Sequence, residues 1–116
     1  LFFDNADFYA FVYQAREAGI TVPIEAGIMP VVNRRQIERM VTLCGASLPK
    51  RLTRLLNRYG HNDDAMADAG IAYATEQIID LISNQVQGIH LYTMNNPYVA
   101  RRIGDNISQI LHCVNP

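Results

Sequence analysis

Thr93, Asn95 and Asn96 cluster in Tyr92-Thr93-Met94-Asn95-Asn96-Pro97, where an apolar run gives way to a proline. A hydroxyl and two amides there can donate to and accept from a ligand. They can equally cap the helix that Pro97 opens. Asp4 and Asn5 stand in the same relation to Leu1-Phe2-Phe3, and Asn33 to Val31-Val32. Position alone does not separate caps from ligand contacts. Glu25, beside Ala26-Gly27-Ile28, has the chemistry of a general base if it is partly desolvated, but no acid partner stands near it in sequence. His90 lies inside an apolar run and is either a hydrogen-bonded interior imidazole or a catalytic one. Lys50, Arg51, Arg54 and Arg58 recur at helical spacing before Tyr59, as a solvated face or as a patch for an anion or partner. Met40 suits a core or a ligand wall. No metal-ligand spacing, Gly-rich phosphate loop or Ser/His/Asp arrangement is present, so no metal is expected.

The elements that must position these residues are legible from periodicity. Leu1 to Phe3 reads as a strand that stops at Asp4-Asn5. Phe8, Phe11, Val12, Ala15 and Ala18 follow at helical spacing, with Gly19 at the end. Ile20 to Ile24 is short and β-branched, a second strand, although Pro23 cannot donate to a ladder. Glu25 to Val32 reads as a loop. Asn33, with Gln36 three residues on, starts a helix carrying Ile37, Met40, Val41 and Cys44, ended by Gly45. Pro49 starts another, with Leu52, Leu55, Leu56 and Tyr59 on one side. His61-Asn62-Asp63-Asp64 caps a long helix with Ile71, Ala74, Ile78, Leu81 and Ile82 inward. Ile89 to Tyr92 is the third strand, and Pro97 opens a last helix with Ala100, Ile103, Ile107, Ile110 and Leu111 inward.

Strands alternating with helices predict parallel strands joined by right-handed crossovers, an α/β architecture. Three strands cannot close a barrel, and an eight-stranded one takes about 250 residues. The 116 residues therefore predict one partial (β/α) barrel over 1–116, and the apolar start predicts that further chain precedes Leu1. In such a fold the loops after the strands gather at one rim. Asp4-Asn5, Glu25 to Asn33 and Thr93 to Asn96 are then neighbours.

Composition narrows the classes. With 49% hydrophobic residues the chain can bury a core, and a net charge of −1 gives no global reason to expect nucleic acid or an acidic membrane as partner. No apolar run is long enough to span a bilayer. Two cysteines, Cys44 and Cys113, read as free thiols in a reducing cytoplasm.

Several segments together resemble the methylenetetrahydrofolate reductase family. They are Leu1-Phe2-Phe3-Asp4-Asn5, Ala18-Gly19-Ile20 with Pro23-Ile24, Ala26-Gly27-Ile28-Met29-Pro30-Val31, Asn33 with Gln36, Leu48-Pro49, Gly70-Ile71, and Gly88-Ile89-His90-Leu91-Tyr92-Thr93-Met94-Asn95. They keep the family's order over essentially the whole chain. The resemblance implies the C-terminal portion of a flavin-dependent (β/α)8 TIM barrel with three parallel strands here. The enzyme would reduce 5,10-methylenetetrahydrofolate to 5-methyltetrahydrofolate, with NADH or NADPH as donor and FAD as carrier. No catalytic residue is expected in this segment, because the family's acidic residue lies nearer the N-terminus, and the segment alone is expected to be inactive. Gln36 matches the family's substrate-binding glutamine. Met40 falls one turn on, where some members have a phenylalanine that packs on ligand, and Met94 where leucine is frequent. Asn96 stands where arginine is frequent and can pair with the folate's glutamate tail; a neutral amide forfeits about 1.5–3 kcal/mol of such a contact. Either Arg34 or Arg35 substitutes, or folate binds more weakly.

Two other readings remain. A partial barrel with open strand edges and apolar helix faces suits a self-associating, non-catalytic module, and a homo-oligomer is expected on the same ground. The barrel also hosts many other reactions.

Overall fold

Asn33 is extended, and its side chain accepts from the Gln36 N–H at 2.8 Å, so the chain turns into a helix there and not earlier. Four of the five helices in the computed structural model, which describes residues 1–115, begin on such a cap. The elements are α1 (Asn5–Glu17), β1 (Ala26–Ile28), α2 (Arg34–Cys44), α3 (Lys50–Tyr59), α4 (Asp63–Ser83), β2 (Ile89–Leu91) and α5 (Pro97–Val114). Asp4, Asn62 and Asn96 cap α1, α4 and α5 through their side chains. Proline at the start of α3 lacks that bond, as its side chain must.

β1 and β2 pair in parallel, with Ala26 opposite Ile89, Gly27 opposite His90 and Ile28 opposite Leu91. Side chains alternate across a strand. Ala26 and Ile28 therefore enter the core with Ile71, Ala74, Ile78 and Leu81 of α4, Val99, Ile103 and Ile107 of α5, and Phe8 of α1. A second cluster lies under the α2–α3 pair, where Ile37, Leu52 and Leu56 meet Phe3, Met29, Val31, Met66 and Tyr73. Each fully buried Leu or Ile contributes about 1.5–3 kcal/mol. α4 feeds both clusters from opposite sides and ties the sheet to the α2–α3 pair.

The three expected strands are two among the described residues, and one lies elsewhere than predicted. Leu1 to Phe3 forms no ladder because side chains of α4 take its carbonyls. Tyr73 donates to the Phe3 oxygen at 2.6 Å and Gln77 to the Phe2 oxygen at 3.5 Å. Burial pushes the Tyr73 phenol up, so it stays a donor. Ile20 to Ile24 is irregular for a similar reason. Arg16 donates to the Ile20 and Val22 oxygens, both at 2.8 Å, and the Ile24 N–H is taken by Gln87 at 2.8 Å. The strand sits instead at Ala26–Ile28, inside the predicted loop. Among the described residues no helix is long and apolar enough to cross a membrane.

Asp80 shows how α1 is fastened. Asn5 and Tyr9 donate to its carboxylate at 2.8 and 2.7 Å. Those two bonds hold the Asp80 carboxyl below its ordinary 3.8, with burial opposing. Burial, then the bond to Asp80, pushes the Tyr9 phenol up to about 12. A depressed carboxyl stabilises the fold above its unfolded value and loses that effect as pH falls through the folded one. A raised phenol stabilises below its ordinary 10.0 and loses that effect as pH rises toward 12. Tyr9→Phe should therefore lower Tm most between about pH 4 and pH 10, with the deficit shrinking outside that window. A deficit of constant size across the whole pH range would contradict the assignment.

Candidate functional site

The loops after the two parallel strands lie side by side. The Tyr92 N–H donates to the Ile28 oxygen at 2.8 Å, which fixes the chain's exit from β2 against its exit from β1. Beyond that bond a recess of about 260 Å³ is lined by Pro30, Val32, Asn33 and Gln36 on one side and Thr93, Met94 and Asn96 on the other. Pockets that enclose a drug-sized ligand run from about 300 to 1,000 Å³. At this size the recess alone would not enclose such a ligand.

Gln36 is held by the backbone just ahead of its own helix. Its side-chain oxygen accepts from the Val32 N–H at 3.2 Å, a variant of the capping box reaching one residue before the cap. Because a donor holds the oxygen, the amide orientation is fixed. Among the described residues no protein group pairs with its nitrogen, which leaves a free donor on a residue that lines the recess.

The Thr93–Asn96 turn is the other wall. The Asn96 N–H donates to the Thr93 oxygen at 3.0 Å, while Met94 and Asn95 take φ of 53° and 61°. Two consecutive left-handed central residues make a type I′ turn, which Asn-Gly would adopt with less strain than Met-Asn. Asparagine tolerates that region, so the strain falls on Met94, at a cost of order 1–3 kcal/mol. It leaves Met94 64% exposed on the recess. Asn96 faces the recess and also caps α5, accepting from the Val99 N–H at 3.3 Å. The capping expected of Asn95 belongs to Asn96.

Gln36, Met94 and Asn96 are thus brought together. Met40 packs against the Phe3–Leu52 cluster and does not line the recess. Asp4 and Asn5, expected at the same rim, are engaged elsewhere. Asp4 caps α1, and Asn5 donates to the Gln77 oxygen at 3.0 Å. Larger depressions, of about 610 and 680 Å³, flank α4, but much of their polar lining is paired internally, as in Asn5 with Asp80 and Arg51 with Glu76. The small recess, where amide groups remain available, is the better candidate.

The face of the sheet away from the helices is open. His90 is exposed and lies tilted on the Tyr92 ring, centroids 4.5 Å apart. A Cβ on Gly27 would meet Tyr92 Cε2 at 2.8 Å, so glycine leaves room for that ring beside β1. Tyr92 follows His90 at the two-residue spacing of one strand face, which is the signal that could have found it. Glu25 is exposed beside Gly88, without the desolvation a general base would need.

Over residues 1–108 the sequence matches the family model described as methylenetetrahydrofolate reductase. The chain is 38% identical over 95 residues to methylenetetrahydrofolate reductase (NADH) 1 of Arabidopsis thaliana, covering 82% of this chain and 16% of that protein. It is 38% identical over 104 residues to the probable methylenetetrahydrofolate reductase (NADPH) of Caenorhabditis elegans, covering 89% and 16%. Against the 5,10-methylenetetrahydrofolate reductase of Pectobacterium carotovorum it is 27% identical over 94 residues, covering 81% and 32%. The chain thus spans about a sixth of the length of the plant and nematode relatives.

Proposed function

Because the chain belongs to the methylenetetrahydrofolate reductase family, we propose that it forms the C-terminal part of a flavin-dependent (β/α)8 barrel that reduces methylenetetrahydrofolate with a nicotinamide donor. In this reading β1 and β2 are the barrel's last two strands, and their C-terminal loops carry part of the folate wall. One observation supports it most: Gln36 is braced by the Val32 N–H with its amide nitrogen free, in a recess shared with Met94 and Asn96.

The chain's own residues bind and orient. Gln36 donates to a polar edge of the folate, and Met94 supplies a polarizable apolar contact. Positioning of this kind is the protein's share when a cofactor carries the redox chemistry. In a complete barrel that face turns inward, with His90 and Tyr92 among the side chains that fill it. Bound FAD supplies the hydride carrier between the nicotinamide and the folate.

The test uses the complete enzyme. NADH or NADPH should bleach its flavin, and methylenetetrahydrofolate should restore the colour. In Gln36→Ala the folate concentration that half-restores it should rise about tenfold, the value of one hydrogen bond to a ligand. Wild-type folate dependence in that variant would remove Gln36 from the site. A flavin that folate does not reoxidise would remove the whole reading.

A further inference from the structure

The chain holds four methionines, Met29, Met40, Met66 and Met94. Met29 and Met66 are sealed in the cluster under α2 and α3, at 2% and 0% exposure, and Met40 is half-buried against it. Met94 is 64% exposed. Thioethers are oxidised where a peroxide can reach the sulfur, so one of the four is open to attack. Its place gives that chemistry a consequence. Met94 shares the small recess with Gln36. The Gln36 oxygen is held by the Val32 N–H, and its nitrogen has no protein partner among the described residues. A thioether is a weak acceptor and leaves that donor free. A sulfoxide carries a polar oxygen that accepts. The 93–96 turn, closed by the Asn96 N–H on the Thr93 oxygen, keeps Met94 on the recess. Three rotatable bonds let its sulfur reach across so small a space.

We propose that Met94 is a modification site: a hydroperoxide converts it to the sulfoxide, and the new oxygen takes the free Gln36 donor and closes the recess. The sulfur lone pair attacks one peroxide oxygen, the O–O bond breaks and an S–O bond forms. A proton moves to the departing oxygen, which leaves as water or an alcohol. Sulfur loses two electrons and the peroxide gains them. An apolar side chain on the recess becomes a polar one that occupies the donor a ligand would use. Reduction by a methionine sulfoxide reductase reverses the change. The effect on binding rests on the folate reading of the recess, whereas the order of oxidation rests on exposure.

The experiment treats the complete enzyme with limiting hydrogen peroxide, then with dithiothreitol to restore the exposed thiols Cys44 and Cys113. Peptide mass spectrometry should find the added oxygen on Met94 before Met29, Met40 or Met66. KM for methylenetetrahydrofolate should rise roughly three- to tenfold, the value of one hydrogen bond to a ligand, and methionine sulfoxide reductase should restore it. In Met94→Leu, whatever its own starting KM, peroxide should cause no further rise, while Met40→Leu should keep the full response. In Gln36→Ala the rise should shrink, because the donor that the sulfoxide captures is gone. Oxidation of Met29, Met40 or Met66 ahead of Met94, an unaltered KM once Met94 is oxidised, or a full-sized rise in Gln36→Ala overturns the proposal. If the untreated enzyme shows no folate-dependent reoxidation of its flavin, the reductase reading fails and takes the closure with it, whatever the peptide masses show.

Discussion

Gly70→Ala should destabilise the protein by about 2 kcal/mol or more, while Gly104→Ala should stabilise it by about 1 kcal/mol. Both glycines lie inside helices, where alanine is intrinsically favoured by about 0.8–1 kcal/mol. Their surroundings decide the sign. A Cβ on Gly70 would overlap the Val31 carbonyl oxygen and lie 2.6 Å from the Val31 carbonyl carbon. Backbone cannot rotate aside as a side-chain tip can, so α4 must move off the segment that leaves β1. Overpacking of this kind costs about 1–3 kcal/mol and more where the neighbour is rigid, which outweighs the helical gain. A Cβ on Gly104 meets nothing within 4 Å. Urea midpoints of the two variants measure this directly. A stabilised Gly70→Ala would mean that α4 does not press on Val31. That same segment carries Pro30, Val32 and Asn33 of the recess, so on the proposed reading Gly70→Ala should also weaken folate binding.

Asn96→Arg should lower stability and tighten binding at once. Asn96 caps α5 through the Val99 N–H, and losing an asparagine cap costs about 1 kcal/mol. On the folate reading proposed above, an arginine on that side of the recess would meet a carboxylate of the folate's tail with a charge-assisted bond of about 1.5–3 kcal/mol, or tenfold and more in folate KM. Tm and folate KM should therefore fall together. A lower Tm with unaltered KM would place the tail elsewhere.

Helices were far more legible than strands. Asn33 and Gly45 bracket α2 in sequence as they do in space, with Gly45 left-handed at φ 63°. Asn62 was a legible start for the same reason: a cap is a local device, written in two or three adjacent residues. At α5 the capping expected of Asn95 falls one residue on, at Asn96. β1 was not legible, because nothing local favours Ala-Gly-Ile as a strand over Ile20 to Ile24. It is chosen by what surrounds it. Ala26 and Ile28 fit beneath α4 and α5, and Gly27 alone leaves room for Tyr92. Leu1 to Phe3 looked like a strand by composition, yet Tyr73 and Gln77, some seventy positions later, claim its carbonyls. The site divided along the same line. The meeting of Gln36 with the 93–96 turn followed from parallel strands, whose loops share a rim. The bond from Val32 that orients Gln36, and the turning away of Asp4 and Asn5, depend on contacts that spacing does not encode.

Ala26 finds its partner Ile89 only after roughly sixty further residues have been made. On a ribosome adding about 5–20 residues per second, β1 waits several seconds with its backbone unmatched. The ladder cannot close until Ile89 has been made, so ordering of the sheet comes late, and conditions that slow translation through residues 60–90 lengthen the window in which a chaperone has something to hold.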